Sequence, residues 1–397
     1  MGSIANNKEG PSALINQLNY LAPRLTNEGD DLEARREALQ IVKTLKVQLE
    51  QPENVAVDLA FSPMIAVSAR IAVDLKLFEH IVQEGPVTST RLAELSGAEE
   101  LLIIRILRPL SAVNLVEEVG SRTWKATRIT KAMATEEIAA GHRMISQLIV
   151  PAMQSAPAYF LQRGHSCPID PKDGLMQYSF NTKQTTFERI VSSPSLLKDF
   201  NTFMGNTMGA RKYWVDWYPV QSQILDGATL DRPLIVDVGA GKGHDLLAYN
   251  NQFPNTGRLV LQDLPEVIEG LGDLDRAIDK VVYDFFTEQP ITGARVYFYH
   301  HILHDWSDYY CLKILESVVA AMTQGYSKLL LHEMVVLEQG ASQFQAQLDM
   351  TMMASNSGME RTRQQWLALL EKAGLTVVKF WEPIDEGGDG IVEAMKI

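Results

Sequence analysis

Cysteine is almost missing from this chain of 397 residues: Cys167 and Cys311 are the two it has, far apart in sequence. Two isolated thiols offer neither a disulfide framework nor the paired spacing of a zinc site, so no metal is expected. Positive charge is also scarce. The 36 Lys and Arg face 49 Asp and Glu, for a net charge of −13. A nucleic-acid or anionic-membrane partner calls for a basic face, and neither is expected here. A locally positive pocket stays compatible with that balance. No apolar run approaches the ~20 residues of a membrane span. No apolar signal core follows the N-terminus, and Asn6 stands where a myristoylation signal needs Ser or Thr. These absences read as cytoplasmic. With 46% hydrophobic and 21% charged residues, the composition excludes a disordered or fibrous chain.

The length exceeds one typical core and suggests two domains. Residues 1–10 read as a polar tail. From Ser12 to about Glu50 apolar residues recur at helical spacing (Leu14, Leu18, Leu21, Leu25, then Ile41, Leu45, Leu49), with a polar break at Asn27 to Asp31. Phe61 to Phe78 reads as one strongly apolar helix, with Pro63 in its first turn. It must be buried on most faces, either in a core or at a subunit interface. Ser89 to Gly97 and Glu99 to Val113 form two helices, and Leu115 to Thr127 is strand, turn, strand. That is a winged helix-turn-helix pattern. Glu99 and Glu100 at the start of its second helix would repel phosphates, so a structural or dimerising use is expected ahead of DNA binding. Gly141 to Gly164 reads as a helix interrupted at Pro151 and Pro157, and the Gly164–Gly174 loop as the linker. The domains are therefore set at 1–165 and 166–397. Tyr178 to Tyr218 reads as helical and rich in Phe180, Phe187, Phe200, Phe203, Met204, Met208 and Trp214. Such residues suit core packing, and also a pocket for a planar apolar substrate.

Leu234-Ile-Val-Asp-Val-Gly-Ala-Gly-Lys-Gly243 organises the second half. A buried strand runs into glycines at 239, 241 and 243, which permit positive φ and close approach of a ligand. His244 then opens a helix whose free N–H groups face the loop. The spacing is G-x-G-x-G, not the G-x-G-x-x-G of a dinucleotide site. Strands follow at Arg258–Asp263, Lys280–Phe286, Ala294–His300, Tyr326–Val336, Leu375–Phe380 and Gly390–Lys396, with helices between. The fold class is α/β, a doubly wound, largely parallel Rossmann-like sheet with ligands at the carboxyl ends of its strands. Asp263, some twenty residues past the glycine turn, suits the hydroxyls of a ribose in either a nicotinamide or an adenosyl cofactor. Asp284 and Phe285 suit an adenine, although Asp284 is equally a capping residue.

Five stretches then occur in order: Asp237-Val-Gly-Ala-Gly-Lys-Gly243, Gln262-Asp-Leu-Pro265, Tyr283-Asp-Phe-Phe286, Leu303-His-Asp-Trp-Ser-Asp308 and Gly358-Met-Glu-Arg-Thr362. Together with the winged unit in front, this series resembles the caffeate-type S-adenosylmethionine-dependent O-methyltransferases of plants and fungi. The nearer branch is that of the fungal polyketide phenol methyltransferases, which includes mycophenolic-acid-pathway enzymes. The resemblance covers nearly the whole chain and implies S-adenosylmethionine as cofactor, a small phenolic substrate and a homodimer built on the N-terminal domain. His304 matches the family's general base, and Glu333 and Glu360 the acids that flank and orient it. Asp237, Gly239, Gly241, Asp263, Leu264, Asp284 and Phe285 match cofactor contacts. Phe200, Met204, Met353 and Asn356 match substrate positions. His300 departs from the pattern, since plant members carry Lys there, near the cofactor carboxylate. Asp305 reads as a helix N-cap.

The chemistry suits these residues. A sulfonium methyl needs no metal, only an acceptor held in line at about 3–3.5 Å and made more nucleophilic. Phenols ionise near ~10 and imidazole near ~6.5, so full proton transfer before attack is uphill by roughly 5 kcal/mol. Transfer concerted with methylation avoids that intermediate, with Glu333 expected to fix one nitrogen of His304. Three rivals are weighed. A dehydrogenase conflicts with the glycine spacing, and a DNA-binding regulator with the acidic helix. A pericyclase that keeps S-adenosylmethionine is the serious alternative, but it has little use for a base with two flanking acids.

Overall fold

The computed structural model describes residues 9–25, 31–207, 212–272, 274–383 and 388–397. The expectations for residues 1–8, for most of the polar break and for Met208 lie outside the described residues. The chain forms two units, residues 1–131 and 132–397. This division falls before the expected boundary at 165. The helix that ends just before it packs on helices further along the chain, and so belongs to the second unit.

Apolar spacing organises the first unit into α1 (Pro11–Leu25) and α2 (Leu32–Leu49), which close on Leu14, Leu21, Ala34, Ala38 and Ile41. The Asp31 carboxylate caps α2 by accepting from the Ala34 amide at 2.9 Å. The apolar stretch 61–78 is not one helix. It is divided among α3 (Pro52–Phe61), α4 (Pro63–Asp74) and α5 (Leu77–Glu84). Pro63 lacks the N–H needed to continue α3 and opens α4. Lys76, at φ 53°, turns the chain before α5. Nor is the stretch buried on most faces. α3 buries nothing, α4 buries Ala69, Ala72 and Val73, and Leu59 and Phe61 are 72% and 67% exposed. Next come β1 (Val87–Thr88), α6 (Ser89–Ser96), α7 (Glu100–Ala112), β2 (Val116–Gly120) and β3 (Thr123–Ala126), with β3 central in a three-stranded antiparallel sheet. The Glu100 carboxylate accepts from the Ser89 and Thr90 hydroxyls at 2.6 and 3.1 Å, tying α7 to α6.

α8 (Arg128–Met133) leads to α9 (Glu136–Arg163), one helix of 28 residues that Pro151 and Pro157 do not interrupt as expected. Each internal proline costs a helix roughly 3 kcal/mol. Here Leu148, Ile149, Ala152, Ala156 and Tyr159 are buried in the cluster that α9 forms with the helices after it. Each large apolar side chain buried returns about 1.5–3 kcal/mol, and burial wins. The region 178–218, expected as helix, breaks into α10 (Leu175–Phe180), α11 (Thr186–Ser192), α12 (Pro194–Thr207) and a 3-10 turn at Trp214–Asp216. Asn181 in the left-handed region, the Thr185–Glu188 capping box and Pro194 set the breaks.

The remaining elements are β4 (Pro233–Val238), α13 (His244–Gln252), β5 (Arg258–Asp263), α14 (Pro265–Gly270), β6 (Ile278–Val282), β7 (Val296–His300), α15 (Asp308–Ala321), β8 (Lys328–Glu333), β9 (Val335–Val336), α16 (Gln343–Asn356), β10 (Arg361–Thr362), α17 (Arg363–Lys372), β11 (Thr376–Trp381) and β12 (Gly390–Met395). Seven strands line up as β11-β12-β8-β7-β4-β5-β6, with β9 and β10 paired separately. β8, β7, β4, β5 and β6 run parallel, while β12 and β11 add antiparallel neighbours. Alternate residues feed two cores. Val236, Val238, Tyr297 and Tyr299 pack with α15 and α17, and Ile235, Val296 and Phe298 pack with α13. Both faces are covered, as a doubly wound sheet requires. The third strand of this half stops at Val282, short of the expected Phe286. Its last residues leave the sheet in a turn where the Asp284 carboxylate accepts from the Phe286 amide at 3.0 Å.

Candidate active site

The cofactor candidates singled out in sequence, with His304 and Glu333, lie at the carboxyl ends of β4 to β8. Gly239, Gly241 and Gly243 all take positive φ after β4. A side chain at Gly239 would meet Ile302 Cδ1 at 2.5 Å, so the loop is pressed against the turn that carries His304. Asp263, at the end of β5, accepts from the Gly241 amide and from the Leu264 amide, each at 2.7 Å. Every carboxylate oxygen has two acceptor sites, so each keeps one for a ligand hydroxyl. Burial raises the Asp263 carboxyl above its ordinary range. Behind it, Gln262 and Gln289 exchange amide hydrogen bonds at 2.7 and 2.8 Å. Asp284 is exposed, and Phe285 lies 3.9 Å from where a Gly239 side chain would begin.

A second group lies deeper. Asp237 is fully buried, its Oδ2 has no hydrogen-bond partner among the described residues, and burial raises its carboxyl. His300 Nδ1 sits 2.8 Å from Asp245 Oδ2, while its buried Nε2 has no hydrogen-bond partner among the described residues. The ring of His332 is 4.0 Å from that of His300, centroid to centroid.

His304 occupies a 3-10 turn, Leu303–Asp305, and is buried. Its Nδ1 lies 2.8 Å from Glu360 Oε1. Glu333 was expected to fix this nitrogen, but its nearer oxygen is 4.0 Å away. Its other oxygen accepts from the Ile302 and Leu303 amides at 3.1 and 2.8 Å, so Glu333 holds the turn and Glu360 holds the ring. Asp305 is not a helix cap either. Ser307 takes that position for α15, and Asp305 Oδ1 lies 3.9 Å from His304 Nε2. Burial lowers His304 below the ordinary imidazole range, against the opposing pull of Asp305 and Glu333. Burial also lifts Glu360 to about 7 and Asp305 to about 6.

Phe200 and Met353 pack against the cluster formed by α9, α10 and α16. Asn356 is buried at the end of α16, accepting from the Thr186 amide at 3.3 Å. Met204, on α12, is 39% exposed. Sequence reasoning missed Arg361. It is completely buried and donates to the carbonyls of Leu303 at 2.9 Å and Trp306 at 2.8 Å and to Asp308 at 3.0 Å, bracketing the His304 turn. Gly358 belongs to the same bracket, because a side chain there would run into the His304 carbonyl. The Met359 amide donates to that carbonyl at 2.9 Å. The signal available for both was their place in the stretch Gly358–Thr362.

A family model described as an O-methyltransferase domain matches residues 176–376. The chain is 62% identical to the O-methyltransferase penC of Penicillium thymicola, over 98% of this chain and 97% of that protein. The chain belongs to the O-methyltransferase family. It is an S-adenosylmethionine-dependent O-methyltransferase of fungal secondary metabolism, acting on a small molecule. The methyltransferase is similar in structure to OxaC solved with SAH and oxaline, at a TM-score of 0.84 and 26% identity, covering 98% of this chain and 99% of that one. It is also similar to a structure described as a pericyclic reaction enzyme, at a TM-score of 0.82 and 26% identity, covering 97% and 98%. The residues present fit the cofactor. Asp263 keeps free acceptor sites at the glycine turn, Phe285 offers a ring beside it, and Asp237 Oδ2 and His300 Nε2, without a hydrogen-bond partner among the described residues, suit a charged amino-acid head.

Proposed function

We propose that this methyltransferase methylates a phenolic hydroxyl of an aromatic secondary metabolite, with His304 as general base. The observation that carries the reading is the buried 2.8 Å contact between His304 Nδ1 and Glu360. An ionised Glu360 accepts from Nδ1–H, which fixes the tautomer whose Nε2 is free to take a proton. The bound cofactor supplies a methyl group already activated on a sulfonium. Asp263 would accept from its ribose, Asp284 and Phe285 would meet its adenine, and Asp237 and His300 its amino-acid end. Gly239, Gly241 and Leu264 line the same loop. Phe200, Met204, Met353 and Asn356 are proposed to hold the acceptor.

As the acceptor loses its proton, Nε2 receives it and the imidazolium forms beside Glu360, whose charge favours it. Glu333, bonded to two backbone amides of the turn, keeps the ring from drifting. A pericyclic step is the second reading, favoured by the likeness to the pericyclic reaction enzyme. Incubation with radiolabelled S-adenosylmethionine and a panel of phenolic aromatics decides between them. Label in an O-methylated product supports methylation. Turnover that leaves the cofactor intact supports the rival.

We further propose that the N-terminal unit is a winged helix-turn-helix used for homodimerisation through its first ~80 residues, supported by the exposed Leu59, Phe61, Met64 and Val67. Deleting residues 1–50 then gives aggregation or lost activity, and a soluble, fully active monomer would refute it. The cytoplasm is the proposed compartment, in keeping with the two free cysteines.

A further inference from the structure

His301 has no part in the chemistry described so far, yet it is built into the site with care. Its backbone is left-handed, at φ 51°, a conformation that a non-glycine residue keeps only where its surroundings hold it. Its amide donates to the His332 carbonyl at 3.1 Å, fixing that turn against β8. The side chain then reaches Asp389, just before β12, with Nε2 3.0 Å from Oδ1. Its ring lies stacked on that of His304, centroids 4.9 Å apart and planes 20° from parallel. The other ring neighbour is His300, at 4.6 Å.

We propose that His301, clamped by Asp389 and stacked on His304, is a positively charged positioning residue that keeps the neighbouring base in its proton-accepting form. The inference rests on the reading of His304 as the base.

The charges around the two rings support it. The groups that face His301 are Asp245 on α13, His300 at the end of β7, His304 and Asp305 on the 3-10 turn, His332 and Glu333 at the end of β8, Glu360 before β10, and Asp389. Most of the charge there is negative. Left alone, those carboxylates would pull a proton onto His304 and occupy the lone pair that catalysis needs. A fixed cation between them opposes that pull. Burial works against a charge on His301, but Asp389, Glu333 and Glu360 outweigh it and lift the imidazole to about 9. The same cation holds down Glu360, so both members of the His304–Glu360 pair are kept in the state that leaves Nε2 open. About a quarter of the His301 side chain is exposed, which lets solvent share in stabilising the ion.

The sign follows. Removing the cation lets His304 and Glu360 both titrate higher, so activity is lost at a higher pH on the acid side. In His301→Gln, which removes the charge with a polar side chain, the acid limb of the kcat profile should move up by about one pH unit. Activity should be regained as the pH is raised. In His301→Lys, which keeps the charge, the limb should stay near its wild-type position. An unmoved limb in a folded, cofactor-binding His301→Gln protein would overturn the proposal, and so would an equal shift in His301→Lys.

Imidazole nitrogen NMR on the unmodified protein provides a readout free of activity. His301 should carry protons on both ring nitrogens at pH 7.5, and a neutral ring there would overturn the proposal. Following the His304 resonance in His301→Gln separates this inference from the one beneath it. Its titration should move up whether or not methyl transfer runs through His304. If instead His304→Ala keeps full activity, the base assignment fails while the charge on His301 can still be read.

Discussion

The glycine loop and the His304 turn stand side by side, yet they are built in opposite ways. Between Asp237 and Leu264 the chain needs one strand, one turn and the next strand, and most contacts that shape the loop come from within that stretch. The His304 turn, with His301 just before it, draws on four separated places: Glu333 on β8, Gly358 to Arg361 at the start of β10, Asp389 before β12, and its own residues. The first region is a local motif in which a glycine turn closes on one carboxylate. The second is a buried assembly of ionisable groups brought together from distant segments. Damage to the loop should therefore show in binding, and damage to the assembly in rate and pH dependence.

The widest gap between the two is expected for His304→Ala, which should lower kcat by about 10²–10⁴-fold with cofactor affinity nearly unchanged. Calorimetry alongside initial rates checks both halves. Glu360→Gln comes next, with a loss in kcat of roughly 10²-fold, because the amide cannot stabilise the imidazolium as a carboxylate does. This variant also tests the pH dependence. Glu360 is lifted to about 7 by burial. Below that pH a protonated Glu360 donates to Nδ1 and leaves the proton on Nε2, so wild-type activity should fall as pH drops through about 7. The fall at that pH should vanish in Glu360→Gln. Glu333→Gln should cost less, roughly 10-fold, since its contact with the ring is 4.0 Å and its main bonds are to backbone amides. Should Glu333→Gln prove the more damaging of the pair, the assignment of Glu360 as the orienting acid is reversed. On the loop side, Asp263→Asn should weaken cofactor binding about 10-fold and leave kcat at saturation little altered.

The same contrast explains what could be read in the sequence. The loop could be read almost whole: strand, three glycines, helix start, and Asp263 ending the next strand follow from local composition. The sheet was legible for a similar reason, since its strands are short β-branched runs ended by turns. His304 and Glu360 were legible as motif members and Glu333 as the end of a strand, but which carboxylate meets the ring was not. Nothing local in Glu333 or Glu360 says which meets the ring, because that depends on how β8 and the 358–362 segment meet. Arg361 lay within a quoted stretch, but His301 and Asp389 lay in none, and their meeting depends on how the end of β7 and the start of β12 come together. The prolines of α9 misled because helix breaking is a local cost and burial against distant helices is not local. The exposed face of α3 and α4 misled in the other direction, since apolar composition does not say whether the cover comes from the same chain.

Wild-type and His304→Ala rates across a series of phenols of graded acidity test the central claim, that His304 removes the acceptor's proton. The penalty of the mutation should shrink steadily as electron-withdrawing substituents acidify the hydroxyl, and it should nearly vanish for acceptors already ionised at the assay pH. A penalty that stays constant across the series would mean that His304 shapes the pocket and removes no proton.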